Sequence, residues 1–389
     1  MVEKRILFIP SLPYLSLPAF TSIIAELRKS QDQSFRFIYL DTDAYRHREM
    51  GINTQEITEM ISTEFHENHF LIQKPVLNSI GKRILFRRKY HREILNKVKE
   101  LSPDLVLTAS EDTEIFRFLN HHHRHIPLFC LQQGSIMNRP KTHFGFTEKI
   151  SYLLNKILLG YPVYKYNPFG KPQDRALHLL WSKFFHVNPH ALAVYSGNPK
   201  WDLLFNQKDP RSKGEYLLFA TQPLSTILSK EQSEKWYAAL KSTLISLRGV
   251  KIRVKVHPRE DTSFYERLFE TNDNKQIIVE SNISLHEALK DASYFLTAWS
   301  STLYDALFSG IPTFIFNPEN MISLENKFIS KHLPVIKSKE ELQSEIFKEY
   351  SELSKSFNDI REIVAVEVNT FSDGKASERI AGLISTHCK

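Results

Sequence analysis

The segment Leu296-Thr-Ala-Trp-Ser-Ser-Thr-Leu-Tyr-Asp-Ala-Leu-Phe-Ser-Gly-Ile-Pro-Thr-Phe-Ile-Phe316 shows how this chain is built. An apolar run ends in a Ser-Ser-Thr turn, and the spacing of Thr302 and Asp305 is that of a capping box, which predicts the start of a helix. Gly310 predicts the end of that helix before a second apolar strand. The amides at the start of such a helix can bind a phosphate. An ordinary β-α-β unit with a well-capped helix explains the same pattern.

The composition is that of a folded protein with more than one core. The chain has 389 residues, of which 42% are hydrophobic and 24% charged, so two domains are expected. A formal net charge of +7 favours an acidic partner, such as a nucleotide, an anionic glycan, a membrane surface or a nucleic acid. Two cysteines provide no disulfide framework and indicate a reducing compartment. No apolar stretch is long enough for a membrane span, so we expect a soluble cytoplasmic protein, with peripheral contact at the inner face of the membrane left open.

Strand-like runs alternate with helical ones along the chain, which predicts α/β domains with parallel sheets. One series runs from Arg5–Ile9 to a strand near Ala193–Ser196, and a second runs from Tyr216–Ala220 to Thr313–Phe316. We therefore predict doubly wound domains over residues 1–195 and 196–350. A helical segment over 351–389 follows, and its return to the first domain is left open. Ligands of such folds bind at the carboxyl ends of the strands.

A second motif lies in the sequence Val254-Lys-Val-His-Pro-Arg-Glu-Asp261. An alternating strand delivers His257 to the carboxyl edge of the sheet, and Pro258 stops the strand. An imidazole there can donate to a phosphate oxygen and, when protonated, neutralise charge on a departing nucleotide. A histidine with its hydrogen bonds satisfied at a strand end is the simpler interpretation. Because His257 and the turn at Ser300 end two strands of one predicted sheet, both can face one crevice.

These two motifs together resemble the C-terminal domain of GT-B glycosyltransferases. The most similar are bacterial capsule and lipopolysaccharide enzymes: sialyl- and polysialyltransferases, Kdo transferases and CDP-glycerol-type polymerases. The segment Gly197-Asn-Pro-Lys-Trp-Asp202 resembles the element that opens this domain in Kdo transferases. The resemblance implies two Rossmann-like domains with the ligand cleft between them, the first binding an acceptor and the second a nucleotide-sugar donor. The donor-binding residues that it implies are Asn198, Lys200, Gln222, His257, Pro258, Ser300, Ser301, Thr302 and Asp305.

Two carboxylates, Glu111 and Asp112, follow a predicted strand in the first half of the chain. Acids at a helix start are stabilising caps, and a carboxylate facing the cleft could also accept the proton of an attacking hydroxyl. The similar sialyltransferases carry an acidic pair followed by Gly in this role, whereas this chain has Thr113. We prefer Glu111 slightly as the base, because one member of the pair serves as the cap.

The acceptor side is predicted from two further loops. Gln133 and Gly134 follow the next strand, where Gly134 permits a tight approach to the cleft, although a simple strand-to-loop turn is equally compatible. Ser11 and Tyr14 lie in the first loop, Pro10–Pro18, after which a helix is predicted over Ala19–Lys29. In GT-B proteins this loop touches the acceptor. This loop lacks the Gly-rich pattern of a dinucleotide site, so NAD binding is not expected.

Three further features carry weaker signals. The Asp41-Thr-Asp43 match to a metal motif is of a kind that chance produces, and the cluster His121–His125 suits solvated cations at a helix end. We therefore expect no metal and no cofactor besides the nucleotide-sugar substrate. The basic run Lys82–Lys99 predicts an amphipathic helix with a wet face, or one that contacts anionic lipid or an acidic glycan. No nucleic-acid-binding module accompanies it, so nucleic acid is not an expected partner.

The resulting hypothesis is a metal-independent, inverting glycosyltransferase of bacterial surface polysaccharide synthesis. Its donor would be a CMP- or CDP-linked sugar, with UDP as an option, and its acceptor a glycan or lipid-linked glycan. One alternative is an enzyme like UDP-N-acetylglucosamine 2-epimerase, against which the turn Trp299-Ser-Ser-Thr302 counts, because Asp-Ser-Gly-Gly is expected there. The other is a non-catalytic protein that binds a nucleotide or glycan.

Overall fold

A computed structural model shows two compact α/β units. It describes residues 2–10, 13–42, 54–72, 80–109, 114–122, 125–133, 146, 149–150, 153, 157–158, 175–186, 192–206, 212–224, 227–270, 276–324 and 328–388. The first unit contains the described residues up to Asp202 together with those from Glu367 onwards, and the second contains those from Leu203 to Val366. The first unit thus extends beyond the predicted boundary at residue 195, and the chain returns to it after residue 366.

Strands and helices alternate in both units. The strands are β1 Lys4–Ile9, β2 Phe35–Asp41, β3 His69–Leu71, β4 Leu105–Ala109, β5 Leu128–Leu131, β6 Leu177–Leu180, β7 Leu192–Tyr195, β8 Tyr216–Ala220, β9 Lys251–Lys255, β10 Ile277–Glu280, β11 Ala292–Thr297, β12 Thr313–Phe316 and β13 Val335–Ile336. The helices are α1 Pro13–Arg28, α2 Thr54–Phe65, α3 Ile80–Leu101, α4 Glu114–His122, α5 Asp202–Asn206, α6 Lys230–Ile245, α7 Thr262–Phe269, α8 Leu285–Lys290, α9 Thr302–Phe308, α10 Lys339–Ile346, α11 Tyr350–Asn369 and α12 Ala376–His387.

The first unit is built on a parallel sheet in the order β3-β2-β1-β4-β5-β6-β7. Both of its faces are covered, which explains the continuous apolar runs in the sequence. Along β1, Ile6 and Phe8 belong to one hydrophobic core, and Leu7 and Ile9 belong to the other. This assignment follows from the two-residue period of a strand.

The first helix begins earlier than the sequence pattern predicts. The pattern placed a loop up to Pro18 and a helix from Ala19, but α1 begins at Pro13. Proline suits the first helical position because its missing N–H would have no partner there. Pro18 lies inside the helix, and its carbonyl accepts a hydrogen bond from Ser22 Oγ at 2.9 Å.

The second unit has a parallel sheet in the order β10-β9-β8-β11-β12-β13. The strand order reverses between β8 and β11, which is the switch point where doubly wound sheets bind ligands. Ala220 at the end of β8 pairs with Lys255 of β9 on one side and with Thr297 of β11 on the other. The loops that follow these three strands therefore leave the sheet at neighbouring positions.

The segment Gly197–Asp202 fastens the C-terminal residues inside the first unit. The Asp202 carboxylate accepts from the amides of Ala376 at 2.9 Å and Ser377 at 2.7 Å, and it thereby caps the start of α12. The Asn198 amide donates to Asn369 Oδ1 at 2.6 Å. Gly197 has φ +80°, and a Cβ there would come within 3.2 Å of the Cβ of Ala376. Helix α12 then packs in the core beside α1.

Replacing Asp202 should loosen this attachment. Asp202→Ala leaves two buried amides without their acceptor, and we expect it to lower the free energy of unfolding by about 2 kcal/mol. Asp202→Asn keeps one acceptor oxygen and should cost less. Urea unfolding followed by circular dichroism measures both, with the exposed Asp359→Ala as the matched control. Equal stability of Asp202→Ala and the control would contradict this role of Asp202.

Candidate functional site

The candidate site lies at the carboxyl edge of the second sheet, where three loops are joined by hydrogen bonds. The His257 amide, after β9, donates to Thr221 Oγ1, after β8, at 2.8 Å. The Trp299 amide, after β11, donates to Gln222 Oε1 at 2.8 Å. Thr221 and Gln222 are buried, whereas His257 and Trp299 are partly exposed. The residues after β8 thus hold both neighbouring loops in place at the switch point.

The His257 ring is held as a neutral donor. The Arg259 amide donates to His257 Nδ1 at 3.1 Å, so Nδ1 is an acceptor and the ring proton is on Nε2. Burial, together with the smaller effects of the Arg259 and Lys255 charges, lowers the pKa of His257 to about 4. Near neutral pH the ring is therefore neutral, and of the two roles considered for it, donation to a phosphate oxygen fits this form. His257 can donate one hydrogen bond through Nε2–H, and the positive charge at this edge comes from Arg259 and Lys255.

A partly buried carboxylate, which the sequence analysis missed, lies in the same turn as His257. Glu260 Oε2 accepts from Thr221 Oγ1 at 2.5 Å, and Glu260 Oε1 accepts from the Tyr265 hydroxyl at 2.7 Å. Burial raises the pKa of Glu260 above its ordinary value. Glu260 lies within the quoted His-Pro motif, but no sequence signal paired it with Thr221, which is on another strand.

The Ser300 turn differs from the predicted capping box. Helix α9 begins at Thr302, and Ser301 is its N-cap residue with helical angles (φ −63°, ψ −15°) and no side-chain capping bond. Ser300 Oγ instead accepts from the Thr302 amide at 3.3 Å. Thr302 is already helical, so it cannot adopt the extended conformation of a capping residue, and the predicted pairing with Asp305 is wrong.

The residues of this turn differ in how far ligands can reach them. Ser300 and Ser301 are partly exposed. Asp305 is buried within α9, and Thr302 Oγ1 is buried without a hydrogen-bond partner among the described residues. The hydroxyls of Ser300 and Ser301 are therefore better placed for a ligand than Thr302 Oγ1.

Two predicted donor-binding residues lie in the first unit. Asn198 is buried, and its Oδ1 accepts from the Lys200 amide at 3.1 Å in the turn that follows β7. This turn supports the attachment of the C-terminal residues described above. Pro258, by contrast, lies beside His257 at the second sheet's edge and is partly exposed. Contact of Asn198 and Lys200 with a nucleotide sugar stays a prediction.

The remaining predicted residues lie in the first half of the sequence. Ser11, Glu111, Asp112 and Gly134 lie outside the described residues, as does the side chain of Tyr14, whose backbone is in α1. Gln133 follows β5 and is half-buried. Their roles stay predictions.

Helix α3 confirms the amphipathic pattern of the basic run. Its residues Tyr90, Ile94 and Val98 belong to the core, whereas Arg88 and Arg92 are exposed. Contact of this basic face with an anionic surface stays a prediction. In the part of the chain that the structure describes, no helix is long and apolar enough to cross a bilayer. Over the same residues, no group of three or more His, Cys, Asp or Glu side chains could hold a metal ion.

The state of His257 can be measured directly. We expect its imidazole to remain neutral with the proton on Nε2 as the pH falls from 8, and to titrate near pH 4 rather than near the ordinary value of 6.5. The pKa is depressed on folding, so this residue's contribution to stability should be lost as the pH falls from about 6.5 through 4. Histidine ¹⁵N NMR, assigned with His257→Gln, measures both tautomer and titration. Titration near 6.5 would contradict the assignment.

No protein-family model and no curated protein matches this chain. Solved structures do match it over almost its full length. They include UDP-GlcNAc 2-epimerase from Neisseria meningitidis bound to UDP-GlcNAc, with 12% identity, 98% of this chain and 100% of that chain covered, and a TM-score of 0.59. The UDP co-structure of MnaA from S. aureus has 14% identity, coverage of 99% and 96%, and a TM-score of 0.60. MurG from Acinetobacter baumannii has 12% identity, coverage of 98% and 99%, and a TM-score of 0.52.

The chain has a GT-B fold. Similarity at these identities shows the fold, and it confirms the prediction of two Rossmann-like domains. It gives no support to the more specific resemblance to sialyltransferases and other capsule enzymes. The prediction of a CMP- or CDP-dependent glycosyltransferase is wrong: structures of UDP-GlcNAc 2-epimerases recur among the matches and favour the alternative.

Proposed function

We propose that this chain binds a UDP-sugar at the carboxyl edge of its second sheet and inverts one of its carbon centres, as an enzyme like UDP-N-acetylglucosamine 2-epimerase. The observation that carries the proposal is the set of three hydrogen-bonded loops at the switch point. The recurrence of UDP-GlcNAc 2-epimerases among structures that match the whole chain supports it.

At the carboxyl edge of the second sheet, the diphosphate of the nucleotide would contact neutral hydrogen-bond donors close to positively charged side chains. His257 Nε2–H would donate to a phosphate oxygen, and the hydroxyls of Ser300 and Ser301 would donate from the next loop. Arg259 and Lys255 would supply the charge, since both already act on the His257 ring. The turn at Ser300 departs from the Asp-Ser-Gly-Gly sequence expected in the 2-epimerases. Its phosphate contacts would therefore come from hydroxyl groups in addition to backbone amides.

Inversion at C2 of the sugar breaks the C2–H bond, and its electron pair forms a C1–C2 double bond as the C1–O bond to UDP breaks. Re-addition of the UDP oxygen at C1, with a proton added to the opposite face of C2, then restores the nucleotide sugar. The proton must be removed by a base and returned by an acid. We propose Glu111 and Asp112 for these roles, since they follow β4, which pairs with β1 at the switch point of the first sheet. The nucleotide sugar is bound as substrate, and neither an acceptor nor another cofactor is part of this proposal.

Nucleotide affinity tests the phosphate site. His257→Ala should weaken UDP binding about tenfold or more, because one donor to a charged group is lost. His286→Ala is the matched control, because His286 is exposed on α8 of the same unit. Isothermal titration of UDP, CMP, CDP and GDP against the three proteins gives the affinities. Absence of UDP binding by the unaltered chain, or equal loss in both variants, would overturn the site.

Deuterium exchange tests the reaction. With UDP-N-acetylglucosamine in deuterated water, NMR should show deuterium at C2 and the appearance of the C2 epimer. Glu111→Gln and Asp112→Asn should bind UDP with unchanged affinity while exchange falls by about a hundredfold or more, as expected when proton transfer is lost. Conversion of the sugar only when an acceptor is added, without exchange at C2, would reject the epimerase proposal.

A further inference from the structure

The hydrogen bonds next to His257 form a chain that ends on a partly buried carboxylate, Glu260. The Thr221 hydroxyl has a single proton, which it donates to Glu260 Oε2 at 2.5 Å. Its oxygen can then accept from the His257 amide, as it does at 2.8 Å. Thr221 is 4% exposed, so water does not compete at this hydroxyl.

Glu260 is held on its other side as well. Its Oε1 accepts from the hydroxyl of Tyr265, which is 1% exposed, and the Tyr237 hydroxyl lies 3.5 Å from the Tyr265 hydroxyl. The Glu260 amide donates to the His257 carbonyl at 2.8 Å, which closes the turn between the two residues. Both carboxylate oxygens therefore accept from hydroxyls, and the backbone and side chain of Glu260 both bear on the position of His257.

The His257 turn determines where the ring points. The Arg259 amide within this turn donates to Nδ1, which leaves Nε2–H as the donor of the ring. A shift of the turn would release Nδ1 from this bond and let the ring proton occupy either nitrogen. The neutral donor thus depends on a turn that Thr221 and Glu260 fix.

We propose that Glu260 is a positioning residue for the nucleotide-sugar site: it orients the Thr221 hydroxyl to accept from the His257 amide and so fixes the direction of His257 Nε2–H. The effect of this Nε2–H direction on nucleotide-sugar binding rests on the proposed function. The positioning of His257 itself does not, because every contact in the argument lies within the second unit. No sequence motif indicates this role, because Glu260 looks in the sequence like any other polar residue of a loop.

The test compares Glu260→Gln, Thr221→Val and the conservative Thr221→Ser with the unaltered chain. In the unaltered chain both oxygens of Glu260 accept from hydroxyl groups. In Glu260→Gln an NH₂ group replaces one of these oxygens, so one hydroxyl faces a donor instead of an acceptor. ¹⁵N-histidine NMR without nucleotide should show a single Nε2–H tautomer of His257 in the unaltered chain and in Thr221→Ser. Glu260→Gln and Thr221→Val should show both tautomers and an affinity for UDP weakened by about tenfold.

Glu266→Gln is the matched control, because Glu266 is exposed on α7 one residue from Tyr265. It should match the unaltered chain in both measurements. If Thr221→Val does not fold, Glu260→Gln and Thr221→Ser decide the question. A single Nε2–H tautomer in Glu260→Gln would overturn the proposal. If Glu260→Gln shows both tautomers but neither the unaltered chain nor any variant binds UDP, the positioning role is supported and the proposed function is rejected.

Discussion

Parallel pairing of β8 with β9 on one side and with β11 on the other is the constraint on which the candidate site depends. Each pairing brings the carboxyl end of a strand, and so the start of a loop, to the same edge of the sheet. The buried residues Thr221 and Gln222 then connect the two loops, because each accepts a hydrogen bond from a backbone amide of one loop. Without this order of strands, the loops that carry His257 and Trp299 would not both form hydrogen bonds with the residues after β8.

At this edge of the second sheet, different groups provide the positive charge and the hydrogen-bond donor. Burial keeps the His257 ring neutral and leaves it one donor, while Arg259 and Lys255 provide positive charge. Such a division suits a diphosphate, because a neutral donor costs less to bury than a cation and the charges remain near solvent. The partly buried Glu260 belongs to the same arrangement, since its two oxygens accept hydrogen bonds from the buried Thr221 and Tyr265 hydroxyls.

The resemblance to capsule and lipopolysaccharide enzymes was too specific for the motifs that carried it. A His-Pro pair and a Ser-Ser turn mark the ends of two strands in one sheet, which is a geometry that any doubly wound parallel sheet provides. Fold-level similarity does not identify the base of a nucleotide or the reaction at its sugar. The contacts of the segment Gly197–Asp202 with Asn369, Ala376 and Ser377 give it a structural role within the first unit, which its resemblance to a donor-domain element did not indicate.

Most of the architecture could be inferred from periodicity alone. Apolar runs bounded by turn residues located β8 and β12 to the residue, because a strand buried on both faces must be apolar throughout. The sequence did not predict the short strands β3 and β13, because two or three residues are too few to show a periodic pattern. It also did not predict the start of α1, because the prolines there suggested a loop. The Thr221–Glu260 bond and the capping of α12 by Asp202 also could not be inferred. Each joins residues far apart in sequence, and such partners meet only once the order of strands and the path of the C-terminal helices are set.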